Sequence, residues 1–366
     1  MRNLLFHSST LCAIEPRVDG DDIIYANVKV TPEPENIVQF IENLKKKIND
    51  DCDILCGYEA GCLGFSLYHA LVKKGIRCTI LATTTMLTQQ GKRIKTDKRD
   101  VLMIAQCLAY GGYHAMHIPT DKDDDVKFYL RMRDDYKLDL KKTKQRICAF
   151  CLSQGFHYDE GRWTQAHLKW LKSLGLSELD RETLDEYLIT YEYQTNRIEA
   201  FDKRIEELAS ETEYVEKVKK LVCFLVVKTH TALSCLVETG DFQRFAKGNI
   251  YSAYLGLVPG EDSSSDNINR LSITKAGNSH VRKLLIEASK GICKGVVGHK
   301  SKDLKARQSG NPPEVIAYAD KANEILRRKY YKMIRHGKKK NVAVTAVARE
   351  LACFIWGMMT DNTGVA

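Results

Sequence analysis

The distribution of strand and helix patterns divides this chain into three parts. In the first part, short apolar runs such as Ile23–Val30 alternate with amphipathic segments, where apolar residues recur at helical spacing, as at Ile37, Ile41 and Leu44. Strands that alternate with helices predict a mixed sheet with helices on its faces. A strand hairpin followed by such units is the outline of an RNase H-like α/β domain, although other α/β folds share it.

The middle part has few strand signals and many charged residues. Apolar residues recur at helical spacing over residues 183–208, among acidic and basic residues, which indicates a long helical hairpin or coiled coil. Such helices would serve either as an oligomerisation arm or as a bundle that packs on its own core. The sequence leaves both interpretations open.

The last part is predicted to be mostly helical. The motif GLVP at 256–259 leads into a polar loop at 260–269, and a helix is expected over 279–290. The apolar run at 351–359 is shorter than the roughly 18 residues that span a bilayer, so it predicts a buried C-terminal helix. The expected domains are therefore an α/β domain at 1–122, a helical coiled-coil region at 123–214 and a mostly α domain at 215–366.

Charge favours a polyanionic partner. The chain has 56 Lys and Arg against 47 Asp and Glu, a net charge of +9, although many mildly basic proteins bind no nucleic acid. A dense basic cluster surrounds Tyr330 and Tyr331 and would either contact phosphates or form a solvated helix face. Its members are Arg327, Arg328, Lys329, Lys332, Arg335, Lys338, Lys339 and Lys340.

The 12 cysteines are scattered, and the N-terminus shows no secretory pattern. This usage predicts reduced intracellular thiols rather than a disulfide framework. A CxxC pair at 148–151 has no second pair or paired histidines, so it indicates two thiols in a helix rather than a zinc site.

Three carboxylates lie where a strand end and a helix start would bring them together. Glu59 ends an apolar segment, and Asp97 and Asp100 are three residues apart at a predicted helix start. Magnesium takes oxygen ligands and keeps several waters, so a few carboxylates and a phosphate suffice. Two such ions, about 3.5–4 Å apart, stabilise the entering and leaving oxygens of a phosphodiester displacement. The alternative for the aspartates is helix capping and surface charge.

Four short motifs occur in order along nearly the whole chain: YEAG at 58–61, GKRIKTDKRD at 91–100, GLVP at 256–259 and ITKAGN at 273–278. Together they resemble the DEDD-motif transposases of bacterial insertion sequences, the group that includes the bridge-RNA-guided recombinases. The resemblance implies a RuvC-like N-terminal domain, a coiled-coil connection and a C-terminal transposase domain with a nucleophilic serine. The implied activity is site-specific DNA recombination that moves an insertion sequence.

The resemblance also implies site residues and a Mg²⁺ cofactor. Glu59, Asp97 and Asp100 match the second, third and fourth acids of the DEDD set, and Ser264 falls at the expected nucleophile, with Ser263 as the next candidate. A serine hydroxyl needs activation by a base or a metal before it attacks a phosphate. Basic residues expected to contact the DNA or stabilise phosphoryl charge are Lys95, Lys275, Arg282 and Lys283.

One departure concerns the first acid of the set. Aligned on the neighbouring residues, its position falls near Leu5, and the nearby Asp19, Asp21 and Asp22 belong to a predicted hairpin turn. A four-carboxylate site reduced to three is expected to hold metal poorly. The activity of this copy is therefore expected to be impaired.

The implied partners are the DNA of the element ends and target, a guide RNA and further copies of the chain, as a dimer or tetramer. The implied location is the bacterial cytoplasm at the nucleoid, without a membrane. Two other functions stay open: a metal-dependent nuclease resembling Holliday-junction resolvases, in which water attacks, and a catalytically inactive nucleic-acid-binding relic.

Overall fold

The computed structural model describes residues 9–17, 19–31, 33–48, 52–61, 64–82, 86, 96–262, 269–293 and 298–363. The chain divides into two compact units, Met1–Ile118 and Pro119–Ala366. The subdivision of the second unit at residue 214 stays a prediction, as does the boundary at residue 122.

The first unit contains two short β ladders in its described part. Strand β1 (Ser9–Glu15) pairs antiparallel with β2 (Ile23–Val30), and β3 (Leu55–Glu59) pairs parallel with β4 (Arg77–Leu81). A parallel pair requires a crossover, which here includes a helix between β3 and β4. The RNase H-like arrangement of these strands stays a prediction.

Three helices accompany these strands: α1 (Pro34–Ile48), α2 (Ser66–Lys73) and α3 (Asp97–Ala109). The apolar face of α1 packs on α2 through Ile37, Ile41 and Leu71. A second small cluster joins Leu81 of β4 to Cys107 of α3. The helix α3 also packs against β1 and β3, so its start and the strand ends belong to one folded body.

The second unit begins with two long helices, α4 (Asp121–Ser153) and α6 (Glu178–Ala209), joined through α5 (Gln165–Ser173). They pack antiparallel: Arg133 of α4 donates hydrogen bonds of 2.8 and 3.1 Å to Asp202 of α6, while the far ends share the cluster around Ile147 and Leu184. The near ends contribute Leu130 and other residues to the C-terminal core. One end of the helix pair is therefore packed into that core. An oligomerisation role for the pair stays a prediction.

The remaining helices surround one apolar core. They are α7 (Val215–Leu221), α8 (Thr229–Thr239), α9 (Gly248–Tyr254), α10 (Ser279–Ser289), α11 (Lys302–Gln308), α12 (Pro313–Arg335) and α13 (Lys340–Met359), with a 3-10 turn at Phe242–Arg244. Between α9 and α10, β5 (Pro259–Glu261) and β6 (Arg270–Ile273) form an antiparallel hairpin. Helix α13 packs against α9, α10 and α12.

The length of α13 corrects one expectation. The apolar run at 351–359 belongs to a 20-residue helix whose most apolar window has a mean hydropathy of 1.5, long and apolar enough to cross a membrane. However, 56% of that window is buried inside the protein, and Leu351 and Ile355 are fully buried in the core. A core helix passes the same test of length and composition, so this helix is weak evidence for a membrane span.

The packing of α4 against the C-terminal core leads to a prediction about stability. Leu130→Ala removes a side chain that is 1% exposed and is expected to lower the free energy of unfolding by about 2–5 kcal/mol. Leu138→Ala, on the same helix but 41% exposed, is expected to change it by about 0.5 kcal/mol or less. Urea unfolding followed by circular dichroism measures both, and equal losses would contradict the assignment.

Candidate functional site

The structure places Glu59 at the C-terminal end of β3. Its side chain is exposed, and the next residue is fixed to the neighbouring strand because the Ala60 N–H donates a 2.9 Å hydrogen bond to Leu81 O. The carboxylate therefore stands at the edge where β3 and β4 both end. Residues at such strand ends often take part in binding.

Asp97 and Asp100 occupy the first turn of α3. Thr96 is the N-cap residue, and Asp97 is 75% exposed, with its carboxylate 3.7 Å from Lys29 Nζ. Residues three apart lie on one face of a helix. Acidic side chains in the first turn stabilise the helix by their interaction with the positive end of its dipole. Asp97 and Asp100 therefore lie on the same side of α3. Asp97 does not hold the N-cap position that the alternative interpretation gave it.

These carboxylates are oxygen ligands of the type that Mg²⁺ prefers. Within the described ranges, however, no group of three or more His, Cys, Asp or Glu side chains could hold a metal ion. The described geometry of Glu59, Asp97 and Asp100 therefore does not fit a resident ion without further ligands. Leu5 lies outside the described residues, and the Mg²⁺ cofactor stays a prediction.

Asp22 does not replace the missing first acid. Its carboxylate accepts a 3.0 Å hydrogen bond from Gln106 and another from Tyr110 OH, both at the C-terminal end of α3. The Tyr110 and Gln106 hydrogen bonds hold the pKa of Asp22 below its usual range. The side chain is thus bound at the end of α3 opposite to Asp97 and Asp100.

In the second unit, the base of the β5–β6 hairpin, formed by residues 254–258 and 274–278, is fixed by backbone hydrogen bonds. Residues 254–256 run beside residues 274–278, and the N–H groups of Thr274, Lys275 and Asn278 donate to the carbonyls of Val258, Gly256 and Tyr254. Their N···O distances are 2.9, 3.1 and 3.3 Å, respectively. These bonds fix the direction in which the hairpin leaves the helical core.

Two glycines make this close approach possible. Gly256 and Gly277 have φ angles of 66° and 71°, and a Cβ at Gly277 would lie 1.8 Å from Tyr254 O. A Cβ at Gly256 would lie 2.2 Å from Ala276 O. Any side chain at either position would force the two segments apart, because real Cβ atoms do not approach oxygen so closely.

The predicted nucleophiles, Ser264 and Ser263, lie outside the described residues, as does Lys95. The structure describes the two ends of their loop: the Asp262 N–H donates a 3.0 Å hydrogen bond to Asn269 O. The hairpin therefore delivers both ends of the segment 263–268 to one place.

Arg282 has a different contact from the one expected. Its Nη1 donates to the carbonyls of Leu255 and Ala276, at 2.8 and 3.0 Å, and so connects the two backbone segments of the hairpin base. Lys275 and Lys283 are exposed. Lys275 has a left-handed φ of 56° at the bend before α10. The two lysines face solvent in the way that phosphate contact requires.

The basic cluster divides into two groups. Arg327 Nε donates a 3.0 Å hydrogen bond to Ile292 O, while Arg328 and Lys329 pair with Glu324 and Glu350. Along the parts of the chain that the structure describes, the other members are exposed and form no ion pair with a carboxylate. They are Lys332, Arg335, Lys338, Lys339 and Lys340, at the end of α12 and the start of α13.

Comparison with known proteins identifies the family of this chain. Residues 226–296, which contain the hairpin and α10, match the IS116/IS110/IS902 transposase family. The chain is 33% identical over 310 residues to the transposase for insertion sequence element IS1533 of Leptospira borgpetersenii, covering 83% of this chain and 88% of that protein. It belongs to the IS116/IS110/IS902 transposase family.

Two further relatives agree. The protein y4qE of Sinorhizobium fredii, named as a candidate transposase, is 31% identical over 309 residues, covering 83% of this chain and 75% of its own. The transposase for element IS1111A of Coxiella burnetii is 26% identical over 250 residues, covering 64% and 66%. The predicted family and the predicted enzyme class are thereby confirmed, and membership of a transposase family implies DNA binding.

Sequence reasoning missed the structural residues of this transposase segment. It used GLVP and ITKAGN only as motifs, although Gly256 within the first lies against Ala276 and Gly277 within the second lies against Tyr254. The available signal was the presence of a glycine in each motif, because glycine is the residue that permits a left-handed turn and close backbone contact. The binding of Arg282 to two carbonyls left no signal in the sequence.

The glycine contact of the transposase can be tested by substitution. Gly277→Ala is expected to destabilise the second unit by more than the roughly 1–2 kcal/mol of a left-handed alanine, because the methyl group also overlaps Tyr254 O. Gly310→Ala is the control, since Gly310 has a φ of 81° and no neighbour within 4 Å of the added Cβ. Thermal unfolding compares the two, and equal shifts would contradict the close contact.

Proposed function

We propose that this transposase cleaves and exchanges DNA strands by serine nucleophilic attack in the segment 263–268. The observation that carries the proposal is the β5–β6 hairpin, which lies inside the segment matched to the family. Its residues Asp262 and Asn269 are hydrogen-bonded to each other, and the segment between them in the sequence contains Ser263 and Ser264. A nucleophile on a loop needs a rigid support. The glycine contact and Arg282 supply that support.

The chemistry follows from the phosphodiester itself. A serine Oγ would attack phosphorus, a P–O bond to a deoxyribose oxygen would break, and that oxygen would leave with a proton. The resulting phosphoserine ester keeps a phosphodiester bond, so attack by a free DNA hydroxyl would rejoin the strand. Lys275 and Lys283, exposed near the hairpin base, would stabilise the charge on the phosphoryl oxygens.

The first unit is proposed to be the RuvC-like, RNase H-like domain of the enzyme. Glu59, Asp97 and Asp100 are its proposed Mg²⁺ ligands, with DNA phosphate and water supplying the ligands that the described residues lack. When bound, the ion would act as a Lewis acid toward phosphate oxygens. Leucine at position 5 instead of an acid is expected to weaken this binding and impair the activity.

The remaining partners are proposed from the resemblance. Exchange between two duplexes requires several cut strands to be held together, which favours a dimer or tetramer with α4 and α6 as the coiled-coil contact. A guide RNA would select the target. The function requires access to the bacterial nucleoid, so the proposed location is the cytoplasm.

The serine is tested by covalent trapping. The substrate is a plasmid with the DNA that flanks the gene on both sides, incubated with the RNA transcribed from those flanks. The wild type in Mg²⁺ is expected to form an SDS-resistant protein–DNA adduct that Ser264→Ala reduces to background. Mass spectrometry of the digested adduct locates the phosphoserine, and adduct formation lost in Ser263→Ala alone would identify the neighbouring serine instead.

The same assay separates the alternative functions. Strand cutting that persists in a variant with both Ser263 and Ser264 changed to alanine would contradict the proposal and indicate a nuclease in which water attacks. Binding without Mg²⁺-dependent cutting, with EDTA as the control, would indicate an inactive relic. The leucine at position 5 and the absence of a described metal-binding group favour the relic as the second candidate.

Phosphate contact by the exposed basic group is tested by salt dependence. Changing Lys332, Arg335 and Lys338 to glutamine is expected to reduce the slope of log affinity against log salt by about 0.9 for each lost phosphate contact. Fluorescence anisotropy with a duplex oligonucleotide of arbitrary sequence measures the slope. The control changes Lys45, Lys46 and Lys47 of α1 to glutamine, which removes equal charge, and an equal effect would contradict a specific contact.

A further inference from the structure

An ion pair with a buried carboxylate lies next to the hairpin base. Glu238 near the end of α8 has a side chain that is 3% exposed. It receives two hydrogen bonds from Arg131 of α4, from Nε at 2.7 Å and from Nη2 at 2.9 Å. Burial alone would raise the pKa of Glu238, but Arg131 and Asn278 outweigh it and lower that pKa. The carboxylate is therefore ionised at neutral pH.

Asn278 connects this ion pair to the hairpin base with both ends of its side chain. Its Nδ2 donates a 2.8 Å hydrogen bond to Glu238 Oε2. Its Oδ1 accepts hydrogen bonds from the N–H groups of His280 and Val281, at 3.1 and 3.0 Å, and so caps α10. Its backbone N–H donates to Tyr254 O at 3.3 Å. One residue thus joins the carboxylate, the helix start and the hairpin base.

Capping alone does not explain the asparagine. Asp, Ser and Asn cap helices about equally well, but an aspartate has no proton to donate to Glu238. An ion pair with a buried carboxylate is also weak evidence for stability, because desolvation of the buried charge offsets the attraction. The amide contact to Glu238 is specific to asparagine at this position, and it fixes the orientation of the cap relative to α4.

We propose that Glu238 and Asn278 are positioning residues that hold the serine-bearing hairpin in one orientation relative to helix α4. This inference rests on the proposed serine function. Arg131 anchors the carboxylate, Glu238 orients the Asn278 amide, and Asn278 sets the first turn of α10 and the bend at 274–278. Neither residue needs to contact DNA.

The central test is Asn278→Asp, which keeps the helix cap but places two carboxylates together. The adduct rate of the trapping assay is expected to fall about tenfold at pH 8, the loss expected from one hydrogen bond to a charged group. The loss should be smaller at pH 6, since like charges raise a carboxyl pKa and a shared proton restores the bond. Each rate is divided by the wild-type rate at the same pH.

Other charged or ionisable groups surround Glu238 in the wild type as well, which is why the ratio is used. They are Arg131 of α4 and His280 of α10, with Asp134 of α4 and His230 of α8 beyond. Burial lowers the pKa of His280. A ratio that does not depend on pH would contradict the carboxylate pair as the cause.

A charge swap provides the rescue. In the double variant Glu238→Gln with Asn278→Asp, the new glutamine amide would donate to the new aspartate, which restores the hydrogen bond with reversed polarity. The adduct rate is expected to return to within about threefold of wild type, leaving a smaller loss from the weakened Arg131 pair. A double variant no faster than Asn278→Asp would overturn the positioning role.

A readout independent of DNA distinguishes this inference from the proposed serine function. Amide hydrogen exchange of Thr274 and Lys275 is expected to accelerate in Asn278→Asp and recover in the double variant, while the α13 amides stay unchanged. Ser301→Asp, a cap exchange at α11 where Ser301 accepts from the Leu304 N–H, is the control. Unchanged exchange at 274 and 275 overturns the inference. A wild type without an adduct contradicts the serine function, and the positioning geometry is then judged by exchange alone.

Discussion

The hairpin geometry depends on a contact between two backbone segments. Residues 254–256 and 276–278 approach so closely that a methyl group at Gly256 or Gly277 would overlap a carbonyl oxygen. Because backbone atoms make the contact, hydrogen bonds can cross it in register, from the N–H groups of Lys275 and Asn278 to the opposite carbonyls. The positions of β5 and β6 follow from this contact, including Asp262 and Asn269 at the two ends of the segment 263–268.

Some charged side chains of the second unit form hydrogen bonds within the fold, and others face solvent. Arg282 and Arg131 each use a planar guanidinium to bind more than one acceptor atom, which a lysine cannot do in the same fixed geometry. Lys275 and Lys283 are exposed point charges. A count of basic residues therefore overstates the surface available to DNA, since some of those charges are committed to the protein itself.

Periodicity predicted the helices of the second unit because their apolar faces pack on shared cores. The expected helices at 183–208 and 279–290 correspond to Glu178–Ala209 and Ser279–Ser289. The length of α13 was missed because Arg349 and Glu350, in the middle of the helix, interrupt its apolar residues. Likewise, the sequence could name Glu59, Asp97 and Asp100 but not their separation, because tertiary packing sets the distance between a strand end and a helix start.

The proposed carboxylates and the proposed serines make separate structural demands. The hairpin requires Gly256, Gly277, Arg282 and Asn278, which all lie in the second unit, and the chain has each of them in its contact. The proposed carboxylate set lies in the first unit, and the position expected for its first acid is Leu5. If substitutions had accumulated throughout the chain, the hairpin base would be lost readily, because any side chain at Gly256 or Gly277 disrupts it. A hairpin base that keeps all of these residues, in a chain with leucine at the first position of the proposed carboxylate set, therefore argues for a change confined to the proposed metal site.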